Sequence, residues 1–261
     1  MNPTLLLTLY CLVIAAGSLL GGALPSWIRL THTRRQLVIS FVAGLMLGVS
    51  LFHMVPHAAA RLGSLDTTMG WVVGGLLAMF FLIRAFHFHE HEHEHDAGAD
   101  HEPRSVGWIG IAIGLGLHTV IDGVALSASV MAETMHEAVG IAGIGTFLAV
   151  LLHKPLDALA ITSLMGGWTA RQRLLVNTGF ALMCPLGALL FYFGVGLDAD
   201  AVVGAALAFA GGTFLCISLS DLLPELQFHA HDRVKLSAAL LLGLGLAYAI
   251  GFLESAQAHV H

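Results

Sequence analysis

His118 and Asp122 stand four residues apart in an apolar stretch, and so do His153 and Asp157. On a helix that spacing stacks each pair on one face. Two facing helices would then aim two imidazoles and two carboxylates at one point. Such a set can fill a tetrahedral shell around zinc, or part of a larger shell around iron or manganese. Two carboxylates cancel the charge of a dication, so a loaded site has little net charge to bury. Left empty at membrane depth, the same carboxylates are costly. The two stretches also repeat each other. His118-Thr119-Val120-Ile121-Asp122 aligns with His153-Lys154-Pro155-Leu156-Asp157, and Ala125 then aligns with Ala160. One buried histidine or aspartate is often only an interhelical hydrogen bond. Two matched pairs are poorly explained that way, and a proton relay is the stronger rival chemistry.

Thr119 and Lys154 sit inside the repeated motif and are read as residues that tune the site. A buried ammonium repels metal unless a carboxylate neutralises it. Lys154 is therefore expected to pair with Asp157 or a neighbouring acid and to block a second metal. A further repeat links two other stretches. Gly44, Leu47, Ser50, Leu51 and Pro56 match Gly212, Leu215, Ser218, Leu219 and Pro224. Within it His53 falls on Asp221, and His57 falls on Glu225.

The elements that must position these residues follow from composition. Of 261 residues, 57% are hydrophobic and 11% charged, with a mean hydropathy of +0.82. A soluble domain carries about 25% charged residues, so most of this surface is expected to face lipid. A helix crosses the hydrocarbon core with roughly 20 apolar residues. Eight stretches qualify: 4–28, 36–60, 67–86, 105–131, 138–168, 174–196, 201–223 and 236–254. Helix is required because a lone strand in lipid leaves its backbone unpaired. The first stretch lacks a basic leader and is read as a span, not a cleaved signal. Cys11, Cys184 and Cys216 lie in apolar runs without a CxxC pair and are read as small hydrophobes.

Nine of the eleven Lys and Arg residues fall in alternate loops or at the span end beside them: Arg29, Arg34, Arg35, Arg84, Arg104, Arg171, Arg173, Arg233 and Lys235. Only Arg61 lies on the opposite side, and Lys154 is within a span. Positive loops stay cytoplasmic, which places both termini on the non-cytoplasmic side. Span two then runs outward and span seven inward. His53 and His57 mark an outer entrance, and Asp221 and Glu225 an inner exit. Inverted repeats of spans 1–3 and 6–8 around a central pair, 4 and 5, suit a transporter. The chain reads as one transmembrane domain, 1–261, with a histidine-rich cytosolic loop at 87–104. His87, His89, His91, His93, His95 and His101 alternate there with acids, a composition that cannot form a core. The loop is read as a site of metal capture. Its formal H-E-x-x-H string arises from the alternation and lacks the shaped cleft of a zinc protease.

These motifs resemble those of the ZIP family of zinc/iron permeases. The family's fourth span typically reads H-N-x-x-D/E-G, matched by His118, Asp122 and Gly123. Its fifth reads H-E-x-P-H/E, matched by His153 and Asp157. Its second and seventh spans end in proline-acid patterns, like Pro56-His57 and Pro224-Glu225. The resemblance covers nearly the whole chain. It implies metal import toward the cytosol, a site between spans four and five, elevator-like or rocking alternation, and a homodimer in the membrane. Thr119 stands where the family has Asn, Lys154 where it has an acid, and Pro155 one residue early. These departures bear on the family's second metal position and leave its first intact.

The reading is an all-α membrane transporter, not an enzyme. Its substrate is a divalent metal, zinc first, with iron, manganese and cadmium as alternatives that accept the same ligands. Two other functions compete with it. A membrane-embedded metal-dependent hydrolase would use Asp122 or Asp157 to activate water, but no nucleophile motif accompanies them. A proton-coupled metal exporter would need a different fold. Scattered basic residues and the lack of a phosphate-cradling loop argue against a nucleic-acid partner or direct nucleotide drive.

Overall fold

A computed structural model describes residues 2–23, 32–91, 105–134, 142–163, 165, 168–195, 199–219 and 233–258. Among them there is no strand, as the lipid argument requires. The helices are α1 (Pro3–Ala23), α2 (His32–Val49), α3 (Val55–Leu62), α4 (Leu65–His91), α5 (Ser105–Thr134), α6 (Ile144–Ser163), α7 (Ala170–Gly194), α8 (Asp200–Ile217) and α9 (Arg233–Ala258). A π turn over Ser50–Met54 joins α2 to α3 in one continuous rod. Counting that rod once, eight helices among the described residues are long and apolar enough to cross a membrane.

The boundaries differ from expectation for identifiable reasons. Pro56 has no N–H to donate, and the backbone ahead of it re-registers so that the Val55 N–H reaches the Ser50 carbonyl. Span five starts later than 138, because Gly143 turns the chain at φ 72° immediately before α6. Span three runs on to His91, since no Gly or Pro interrupts it after Gly75 until Gly98. His87, His89 and His91 therefore sit on the last turns of α4 and not in a loop, while His93, His95 and His101 lie outside the described residues. So do Asp221 and Glu225. The start of α7 is set by a capping box: the Thr169 hydroxyl accepts from the Gln172 N–H, and the Gln172 side chain accepts from the Thr169 N–H.

Four helix pairs pack along their lengths: α2 with α9, α4 with α8, α5 with α7, and α1 with α6. Lipid gives apolar helices no hydrophobic reason to associate, so close backbone approach must hold them. Three of the pairs achieve it with a glycine from each partner. A Cβ at Gly75 would overlap the Phe209 carbonyl, and one at Gly212 the Val72 carbonyl. Gly44 and Gly243 do the same for α2 and α9, as Gly123 and Gly187 do for α5 and α7. The central helices α5 and α6 touch each other less than either touches its main partner. Polar side chains line the space between them.

Arg61 ties three elements at one end of the bundle. Its guanidinium, 4% exposed, donates from Nη2 to the Met131 and Ala132 carbonyls at 2.8 and 3.1 Å, and from Nη1 to Asp200. It thereby caps the C-terminal turn of α5, where carbonyls lack helical partners.

Four substitutions, in two pairs, test this packing. Gly212→Ala should cost on the order of 2 kcal/mol by overpacking, read as a lower thermal midpoint in detergent. Gly74→Ala, where a Cβ meets nothing within 4 Å, should be neutral or gain up to about 1 kcal/mol from helix propensity. Arg61→Met should cost about 2 kcal/mol by stranding buried carbonyls. Asp200→Asn should cost less than about 1 kcal/mol, because the acid is 59% exposed.

Candidate metal centre

The four residues picked out by spacing meet between α5 and α6. One ligand atom from each of His118, Asp122, His153 and Asp157 lies within 4.8 Å of all the others. His153 Nε2 is 3.2 Å from Asp122 Oδ2 and 3.7 Å from Asp157 Oδ2. His118 Nε2 is 3.5 Å from Asp122 Oδ2 and 3.7 Å from Asp157 Oδ2. Ligands at about 2.1 Å from a tetrahedral ion lie roughly 3.4 Å apart, so the spacing needs only small adjustment. The two rings run nearly parallel, with centroids 5.6 Å apart and planes at 27°.

Burial is nearly complete. The side chains of Asp122, His118 and His153 are 0, 3 and 5% exposed. Asp157 is 17% exposed and is the one member water touches appreciably.

The orientation of His153 is fixed from behind. Its Nδ1–H donates to the Ala149 carbonyl at 2.8 Å, one turn back on α6. A carbonyl can only accept, so the lone pair of the neutral ring lies on Nε2, facing the carboxylates. The Phe214 ring from α8 meets the His153 ring edge-on, with centroids 5.9 Å apart. His153 Nε2 lies within hydrogen-bond distance of Asp122 Oδ2, at 3.2 Å, and in the neutral tautomer that Ala149 selects it meets that carboxylate acceptor to acceptor. Nδ1 of His118 and Oδ1 of Asp122 are also buried without a hydrogen-bond partner among the described residues.

Lys154 relieves that confrontation. Its side chain is 1% exposed, and Nζ donates to Asp122 Oδ2, to Asp157 Oδ2 at 2.9 Å and to Thr119 Oγ1 at 3.1 Å. All three ammonium protons are used. Thr119 can accept because its own proton goes to the Leu115 carbonyl at 2.7 Å. The Phe180 ring of α7 lies 5.7 Å from Nζ. Sequence reasoning anticipated an acid partner for Lys154. That the ammonium spans both aspartates, and that Phe180 lies beside it, needed the fold.

His53 and His57 are separate from this cluster. His53, in the π turn, is 3% exposed and donates from Nε2 to the Ala247 carbonyl at 2.8 Å. Its ring lies against Gly145 and Gly251. Gly145 precedes His153 by eight residues on α6, a rise of about 12 Å. His57 lies one turn further along, 32% exposed, with Nδ1 3.8 Å from Glu133 Oε1. Glu133 itself is buried and accepts from the Gly143 N–H at 2.6 Å. Sequence reasoning did not pick out Glu133 as a site residue. The signal that could have found it is its place eleven residues after Asp122, three turns along the same helix. Cys11, Cys184 and Cys216 are buried, as small hydrophobes should be.

Comparison with known proteins identifies the family of the chain. Residues 84–251 match the family described as ZIP Zinc transporter. The chain is 26% identical over 268 residues to zinc transporter ZIP9-B of Xenopus laevis, covering 87% of each chain. It is 30% identical over 135 residues to metal cation symporter ZIP8 of Homo sapiens, covering 51% of this chain and 27% of that one. With metal cation symporter ZIP14 of Bos taurus it shares 30% identity over 139 residues, covering 52% of this chain and 26% of the relative. The chain thus spans most of the first relative and about a quarter of the other two. These are transporters, which sets aside the hydrolase reading of Asp122 and Asp157. The chain belongs to the ZIP family of metal transporters.

Proposed function

We propose that the chain imports a divalent transition metal, zinc first, with His118, Asp122, His153 and Asp157 as transient ligands at the middle of the bundle. The observation that carries this reading is the meeting of two imidazoles with two carboxylates, one ring held with its lone pair facing the acids. Such a group is stable only around a cation. The choice of zinc leans on four nitrogen and oxygen ligands at tetrahedral spacing and on the zinc named in ZIP9-B. Iron, manganese and cadmium take the same donors and remain alternative substrates.

Direction follows from charge. With positive loops inside, both termini face outward, and the end where α5 stops and α6 starts is the outer one. His57 and His53, with Glu133 beside His57, form the path from that side. Asp221 and Glu225 form the exit, and the histidines at 87, 89, 91, 93, 95 and 101 capture metal in the cytosol. Support for alternating access comes from the packing. Exchanging spans 1–3 with 6–8, and 4 with 5, turns the α2–α9 contact into the α8–α4 contact and the α1–α6 contact into the α7–α5 contact. A π-type turn at Ser218–Leu219 matches the one that begins at Ser50. Two similar halves can open in turn toward opposite sides. The apolar faces of α4 and α9, including Trp71, Phe81, Leu242 and Tyr248, are exposed. They would meet lipid or a second copy in a homodimer.

Radioactive zinc uptake into proteoliposomes tests the reading. The unsubstituted protein should show saturable influx, and His118→Ala or Asp122→Asn should lower it at least tenfold. Unimpaired, saturable influx in both variants would place the transport site elsewhere. Equilibrium dialysis should find one high-affinity zinc per chain, weakened at least tenfold in Asp157→Asn, or about 1.4 kcal/mol.

A further inference from the structure

A cation already sits where the two carboxylates meet, and it belongs to the protein. Lys154 is buried, uses every proton, and joins Asp122 on α5 to Asp157 on its own helix. A carrier that releases its metal must send the empty site back across the membrane. Two bare carboxylates cannot be enclosed in a low dielectric without a counter-charge. The ammonium supplies one, and it travels with α6.

The same side chain also has somewhere else to rest. Thr119 Oγ1 keeps its lone pairs free for Nζ because its proton is committed to the Leu115 carbonyl. The Phe180 ring, at 5.7 Å, is within the roughly 6 Å reach of a cation–π contact. Lysine's flexible stem lets Nζ leave the acids while keeping these two contacts. A dication meets the carboxylates with twice the charge and also takes the imidazole lone pairs, so it displaces the ammonium.

We propose that Lys154 is a tethered stand-in for the transported metal: it occupies Asp122 and Asp157 in the empty carrier, permits its return, and withdraws onto Thr119 and Phe180 when metal binds. The proposal rests on the four-residue centre being the transport site. It makes Lys154 a competitor of the metal and a requirement for the empty return step alone. Net uptake needs that step. Exchange of external for internal metal does not, because the carrier crosses loaded in both directions.

The test compares zinc uptake into metal-free proteoliposomes with counterflow into zinc-loaded ones. Lys154→Met should lower the half-saturating zinc at least threefold, lower net uptake at least tenfold, and keep counterflow within about threefold of the unsubstituted rate. Thr119→Val removes the resting place but keeps the ammonium, so it should raise half-saturating zinc at least threefold. Lys154→Arg, which keeps the charge, should hold the ratio of net uptake to counterflow near its original value and serves if the methionine variant does not fold. Equal loss of net uptake and counterflow in Lys154→Met would overturn the proposal. So would unchanged net uptake, a shift of half-saturation in the same direction for Lys154→Met and Thr119→Val, or a tenfold fall of the ratio in Lys154→Arg. Absence of zinc flux in either mode by the unsubstituted protein would instead sink the transport reading on which the proposal stands.

Discussion

Two carboxylates and two imidazoles that converge inside a lipid-embedded bundle require a cation, and the rest of the structure answers to that requirement. The aspartates cannot be buried bare, and the His153 lone pair cannot face them across empty space. The protein meets the requirement with Lys154, whose three donors close on Asp122, Asp157 and Thr119. The local geometry follows the same demand. The Ala149 carbonyl turns the donor nitrogen of His153 away from the centre, and Phe214 braces the ring.

Holding that cluster together falls to helices outside it. α5 and α6 present polar faces to each other and pack mainly against α7 and α1. At α5 the support is immediate, because Gly123 follows Asp122 and lets the Cys184 backbone of α7 approach closely. At the far end of α5, Arg61 caps the last carbonyls and Glu133 binds the N–H of Gly143 before α6 begins. The ends of both site-bearing helices are therefore fixed by buried polar contacts, and the middle by backbone contact at glycine.

Much of this was legible in the chain because helical spacing and lipid length leave few choices. The i,i+4 pairs His118/Asp122 and His153/Asp157 could face each other only if both stretches were helices, and the eight apolar runs follow from bilayer thickness. What escaped was three-dimensional or cooperative. Phe180 is an ordinary apolar residue in its own span, and only the packing of α7 puts its ring beside Lys154. Glu133 looks like a loop-edge acid until the turn at Gly143 folds back onto it. The histidine run looks like a loop by composition, but nothing in it breaks a helix before Gly98, so α4 continues to His91. Asp221 and Glu225 lie beyond the described residues, and their part at the exit rests on the repeat with His53 and His57.

Membership in the ZIP family fixes the class of chemistry, while the departures at Thr119 and Lys154 give this chain its own character. The proposed function places the metal among His118, Asp122, His153 and Asp157. X-ray absorption at the zinc K-edge on the loaded protein reads that point directly. The account predicts a single ion with two nitrogen ligands from imidazole and two carboxylate oxygens, at about 2.0–2.2 Å. A shell without imidazole nitrogen, or one containing sulfur from the buried cysteines, would contradict it.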